Sequence, residues 1–103
     1  MKRFIKLGGE MISLPAIEDV LKSGFSPTYP EIQLALEVPE NDASQLTLFT
    51  TQELTREVVN EVIKQAGLSS LHRIRAIANI EEIPQLGSGK VNYRELNRQL
   101  EVV

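Results

Sequence analysis

The chain has 103 residues, room for one domain with one modest core. Fourteen acidic side chains against eleven basic ones give a net charge of −3, which argues against a general nucleic-acid binder. There is no cysteine, which excludes disulfides and thiolate metal sites and suits a cytosolic chain, and no apolar run approaches the ~18 residues needed to span a bilayer.

Two short apolar-rich arms, Phe4–Leu7 and Glu10–Ile12, flank Gly8-Gly9 and predict a β-hairpin. Ser13 is placed to cap a helix with Pro15 in its first turn. Leu14, Ile17, Val20 and Leu21 repeat at helical spacing, and Gly24 is expected to stop that helix. From Ile32 to Val38 apolar residues alternate, which predicts a strand, and Pro39-Glu40-Asn41-Asp42 reads as a turn. Leu46 to Thr51 is β-branched and aromatic and should pair with that strand. An apolar stripe through Leu54, Val58, Val59, Val62, Ile63 and Ala66 predicts a helix from about Glu53, ended by Gly67. Ile74 to Ile80 is a third main strand. Asn92 with Glu95 resembles a capping box for a last helix lined by Tyr93, Leu96 and Leu100. The expected fold class is α+β: a small sheet of about three strands plus an N-terminal β-hairpin, packed by about three helices in a single domain.

Few groups look chemically equipped. His72 is alone among histidines, with no cysteine to make a metal site or a nucleophile–base pair, so it is expected to be structural or solvent-exposed. Glu81 and Glu82, if on a strand, point to opposite faces and make no acid–base pair. No metal site is expected. The exception is Ile83-Pro84-Gln85-Leu86-Gly87-Ser88-Gly89-Lys90. It is not a phosphate-binding P-loop, because Pro84 and Val91 stand where that motif needs Gly and Ser or Thr. Its glycines leave the backbone free to turn and present Lys90 as a mobile cation.

Two segments carry a resemblance. Lys2-Arg3-Phe4-Ile5-Lys6-Leu7-Gly8-Gly9-Glu10-Met11-Ile12-Ser13 with Ile17-Glu18 is similar to the hinge-and-hairpin motif opening the C-terminal domain of adenylate-forming (AMP-binding) enzymes. Leu86-Gly87-Ser88-Gly89-Lys90, with Tyr93 and Leu96, resembles the loop bearing that family's adenylation lysine. The order and separation match that domain across nearly all of the chain. Phe4 to Ser13, Leu48-Phe49-Thr50-Thr51 with Glu53-Leu54-Thr55-Arg56, and Pro84 to Lys90 most resemble its acyl–acyl carrier protein synthetase branch, as in the bifunctional 2-acylglycerophosphoethanolamine acyltransferases. The sequence departs from many relatives in Leu86-Gly87 before Ser-Gly-Lys, in Val91-Asn92-Tyr93 after it, and in Lys2 where an aspartate is common at the hinge.

The resemblance implies a two-step ligase. ATP with Mg2+, bound mainly by an N-terminal adenylation domain outside this chain, activates a fatty acid as acyl-AMP. The phosphopantetheine thiol of acyl carrier protein, or of CoA, then displaces AMP. Lys90 is implied as the catalytic lysine and Lys2 as the hinge. Gly8, Gly9, Glu10 and Met11 are implied as the thiol-facing surface, with hairpin packing an open alternative for Glu10 and Met11. Ser88, Gly89 and Lys6 are implied near the nucleotide, with a solvated strand position the favoured alternative for Lys6. Glu18 is expected to be structural. Lys2, Arg3, Lys6, Arg73 and Arg75 are the basic residues available to an acidic carrier protein. A chain opening inside the hinge motif is expected to be a cloned fragment, inactive alone. Its parent is expected in the cytoplasm, at the inner face of a bacterial inner membrane. The alternatives are an acyl-CoA ligase and a non-catalytic α+β binding module.

Overall fold

A computed structural model describes residues 3–39 and 44–102. Lys2 and the turn at 40–42 therefore lie outside the described residues. The elements are β1 (Phe4–Leu7), β2 (Glu10–Ser13), α1 (Leu14–Phe25), β3 (Leu34–Glu37), β4 (Thr47–Thr50), α2 (Arg56–Gln65), β5 (Ala76–Asn79) and α3 (Tyr93–Val102), with a short 3-10 turn at Ser70–His72. The α+β expectation holds: a two-stranded hairpin and a three-stranded mixed sheet with three helices.

β1 and β2 pair antiparallel around a tight turn in which Gly8 and Gly9 have φ of +56° and +80°. Both are left-handed values that a glycine adopts without a Cβ penalty. In the main sheet β4 is central, antiparallel to β3 and parallel to β5. A parallel neighbour needs a crossover, and α2 provides it.

All four residues of β4 are buried, so both faces of this sheet are covered. On one face α1 (Leu14, Ile17, Leu21, Phe25) and α2 (Val59, Ile63) pack on Leu36 and Leu48. Ile12 of the hairpin joins this core, with Ile5 and Leu7 against it. On the other face Ala35 and Phe49 pack with Ile83 and with Leu96 of α3. Consecutive strand residues face opposite ways, so Leu36 and Ala35 serve different cores. That explains why alternation in β3 is not the simple in–out pattern of a half-buried strand.

The ends of the elements follow capping chemistry. Ser13 Oγ accepts from Ala16 N at 3.2 Å, and Thr55 Oγ1 accepts from Val58 N at 3.2 Å. Thr55, rather than Glu53, thus opens α2. Gly67, at φ +86°, ends it as expected. Asn92 Oδ1 accepts from Glu95 N at 3.2 Å, but the Glu95 carboxylate turns to Arg98 rather than completing a capping box. Glu81 and Glu82 lie past the end of β5, exposed in a bend, and not on a strand.

Gly24 corrects a prediction. It does not stop α1, which continues to Phe25. A Cβ built on it would sit 2.7 Å from Val62 Cγ1. Gly24 is therefore a close-approach position between α1 and α2. Alanine would gain about 1 kcal/mol of helix propensity but collide with a stiff β-branched side chain, a cost of about 1–3 kcal/mol. Gly24→Ala is expected to destabilise, and the pair Gly24→Ala, Val62→Ala to recover part of that loss. Urea unfolding of the singles and the double decides it, and an additive double would show that the two positions do not touch.

Candidate functional site

Three constructions carry the candidate residues. The first is a β-turn hairpin holding Lys90. Gln85 bridges to Val91, Leu86 N donates to Lys90 O at 2.7 Å, and Gly89 N donates to Leu86 O at 2.8 Å. Gly89 has φ +87°, which closes a three-residue loop at low steric cost. Nothing lies within 4 Å of a Cβ at Gly89 or Gly87, so conformation and not space requires glycine at 89. Ser88, Gly89 and Lys90 are exposed at the tip. Among the described residues no carboxylate pairs with the Lys90 ammonium. At its base Ile83 is buried, and Ile83 N donates to Gln33 Oε1 at 3.3 Å.

The second is the Gly8-Gly9 hairpin. Lys6 and Met11 are cross-strand partners on its outer face, both exposed, Met11 at 60%. Phe4 is exposed on the same face. Glu10 points the other way, and its carboxylate accepts from Ser69 Oγ at 3.3 Å. Ser69 Oγ also lies 3.0 Å from His72 Nδ1, which gives the buried His72 its structural role. A Cβ on Gly8 would meet Leu71 at 3.4 Å, while Gly9 faces open space. The turn is thus seated on the connection before β5, with Gly9 and Met11 as its free groups.

These two hairpins are rooted in different cores. Ile5, Leu7 and Ile12 belong to the α1/α2 face of the sheet, and Ile83 and Val91 to the α3 face.

The third construction was not legible as a unit in the sequence. Glu18 of α1 accepts from Arg3 Nη1 at 3.0 Å, from the Tyr93 hydroxyl at 3.0 and 2.9 Å, and from Leu36 N at 2.7 Å. The Arg3 guanidinium lies over the Tyr93 ring, 3.5 Å from its centroid, and donates through Nη2 to Leu36 O. Both charged side chains are about 15% exposed. Glu18 is structural, as expected. Arg3 is committed to this clamp and is not a free basic residue for a carrier protein. Residues 3, 18 and 93 share no short spacing, so no local pattern could have joined them.

No family model matches the sequence. Solved structures with this fold include MbtA from Mycobacterium smegmatis, with 21% identity, covering 95% of this chain and 19% of that one, at a TM-score of 0.77. Another is a fatty acyl CoA synthetase from Mycobacterium tuberculosis, with 19% identity, covering 96% of this chain and 20% of that one, at 0.74. A third is an acyl-CoA synthetase (AMP-forming)/AMP-acid ligase II-like protein from Dyadobacter fermentans, with 17% identity, covering 94% and 29%, at 0.67. The fold is one that AMP-forming synthetases contain. This chain spans about a fifth of the length of the two mycobacterial proteins.

The donor set bears on the groups such enzymes use. Among the described residues no three His, Cys, Asp or Glu side chains gather to hold a metal ion. No helix among them is long and apolar enough to cross a membrane.

Burial, and after it the Glu18 carboxylate, push the Tyr93 hydroxyl up to about 12. Burial also holds the nearby Glu37 carboxyl above its ordinary range. The folded protein thus keeps the Tyr93 proton more tightly than the unfolded chain, where tyrosine titrates near ~10. That contribution to stability is complete below about pH 10 and is lost as pH rises through about 12. The stability difference between wild type and Tyr93→Phe is therefore expected to shrink across this window. Denaturant unfolding of both proteins at several alkaline pH values measures it, and a pH-independent difference would show that Glu18 does not hold that proton.

Proposed function

We propose that this chain is the mobile C-terminal domain of an AMP-forming fatty acyl–acyl carrier protein synthetase. The observation that carries the reading is the rooting of the Lys90 hairpin and the Gly8-Gly9 hairpin in opposite cores of one small sheet. A rigid body built this way can turn one hairpin and then the other toward a fixed substrate site, which suits a two-step reaction.

In the first step a fatty acid carboxylate oxygen attacks the α-phosphorus of ATP. The bond to the bridging oxygen breaks and pyrophosphate leaves. Negative charge grows on the α-phosphoryl oxygens, and Lys90 supplies a compact cation there from a loop whose glycines add no bulk. Ser88 and Gly89 approach the nucleotide with it, while Lys6, beside Met11 on the other hairpin, turns to the site only with that hairpin. Mg2+ would be held by the N-terminal adenylation domain and would supply neutralising charge for the phosphates. In the second step a phosphopantetheine thiolate attacks the acyl carbonyl carbon and AMP leaves. Gly9 and Met11 line the path of the arm, with Gly8 and Glu10 holding the turn in place. Lys2 is the pivot between the two arrangements.

Acyl carrier protein is the preferred acceptor because the sequence of both hairpins is closest to that branch. It is acidic, and Lys2, Lys6, Arg73 and Arg75 are the candidates left for it once Arg3 is committed, with Lys6, Arg73 and Arg75 exposed. The second reading is an acyl-CoA ligase, favoured by the fold shared with the mycobacterial fatty acyl CoA synthetase. The test is thioester formation by the full-length protein carrying this segment, with carrier protein and with CoA, at two ionic strengths. The expected result is faster transfer to carrier protein, with a rate that falls several-fold as salt rises. A preference for CoA selects the second reading, and no acyl-AMP from fatty acid and ATP selects a non-catalytic module.

A further inference from the structure

The Lys90 hairpin has two stems. The incoming stem is fixed by Ile83 in the core and by its bond to Gln33. The outgoing stem, Val91-Asn92, runs straight into the first residue of α3, which is Tyr93. Asn92 N donates to Pro84 O at 2.8 Å and so closes the hairpin base beside Tyr93. Lys90 is three residues upstream, within about 10 Å along the chain. Where Tyr93 sits thus decides where Lys90 can reach.

Tyr93 is gripped from two sides. Its hydroxyl donates to Glu18, and its ring carries the Arg3 guanidinium. Glu18 is fixed in turn by Leu36 N of the central sheet, and Leu14 N at the start of α1 donates to Arg3 O at 2.9 Å. A hydrogen bond to a charged acceptor is about twice as strong as a neutral one and is directional. A core leucine at 93 would fill space without that direction.

We propose that the Arg3–Glu18–Tyr93 clamp positions the Lys90 hairpin, with Tyr93 a positioning residue for adenylation. The clamp fixes the N-terminal entry of the domain and the lysine loop as one rigid piece, so rotation of the domain delivers Lys90 without slack. This rests on the assignment of Lys90 to the adenylation step.

The test separates the clamp from that assignment. In this chain, Tyr93→Phe keeps the ring over Arg3 and removes only the hydroxyl. Amide exchange at Gly89 and Asn92 is expected to accelerate about tenfold, while Val59 and Ile63 of α2 keep their protection. Arg3→Lys is expected to act in the same direction. Unchanged exchange at Gly89 and Asn92 in both variants would overturn the clamp whatever the chain's function. In the full-length protein carrying this segment, Tyr93→Phe is expected to lower the kcat of acyl-AMP formation about tenfold with KM for ATP little changed. Thioester formation from supplied acyl-AMP should stay unchanged, and adding Tyr93→Phe to Lys90→Ala should cost nothing further. A large loss with Lys90→Ala but none with Tyr93→Phe overturns the positioning role. No loss with Lys90→Ala, alongside accelerated exchange, overturns the functional assignment and leaves the physical clamp standing.

Discussion

Lys90→Ala in the full-length protein carrying this segment is expected to cut acyl-AMP formation by ~10²-fold or more, the loss of one preorganised charge contact at the reacting phosphate. Transfer of the acyl group from supplied acyl-AMP to the thiol should fall far less, because in the proposed cycle the opposite hairpin then faces the site. Lys90→Arg should recover little, since a planar fork does not replace a point charge on a flexible stem. The residue is exposed at a loop tip with no carboxylate partner among the described residues, so its removal should change stability by no more than ~0.5 kcal/mol. Pyrophosphate exchange, single-turnover thioester formation and a thermal melt together make the measurement. Equal loss in both half-reactions would remove the adenylation role, and a lowered melting temperature would make Lys90 structural.

Much of this fold is written in local patterns. The hairpin was legible because Gly8-Gly9 between apolar arms has one cheap solution. Ser13, Gly67 and Asn92 marked helix ends because backbone groups there need partners or a positive φ. Gly24 misled for the same reason: a glycine near a helix end usually serves conformation, and this one serves an approach to Val62, 38 positions further along the chain. Ala35 shares the alternate positions of its strand with Gln33 and Glu37, and it is buried because α3, far along the sequence, covers that side. The direction of β5 depends on the crossover through α2 and not on its own residues.

The candidate site was legible to the same degree. Lys90 and the two glycine turns are sequence-local and were found as such. What holds them is long-range. Tyr93 looked like one more apolar residue of a helix stripe, and only its hydroxyl on Glu18, 75 positions away, separates it from that stripe. Arg3 looked free because nothing nearby in sequence could pair with it.

Glu18→Ala carries the largest expected effect on stability. It would take the carboxylate from the Arg3 guanidinium, leaving it only Leu36 O, and strip the Tyr93 hydroxyl and Leu36 N of their acceptor at a site where both ionic side chains are about 15% exposed. Removing one member of a buried, hydrogen-bonded pair costs about 3 kcal/mol or more, because the charge left behind keeps its desolvation penalty. For a domain of this size that is a fall in Tm of roughly 12–20 °C. The exposed pair Glu95–Arg98 is the internal comparison: it has good geometry but lies in solvent, where water and salt screen it, so Glu95→Gln should shift Tm hardly at all. Glu18→Gln separates charge from shape. It keeps one oxygen for Tyr93 or Leu36 but points an amide donor at a group that also donates, so it should fall between wild type and Glu18→Ala. If Glu18→Gln matched wild type, the carboxylate charge would be dispensable and the site would be held by Tyr93 packing against the core cluster of Ala35, Phe49, Ile83 and Leu96.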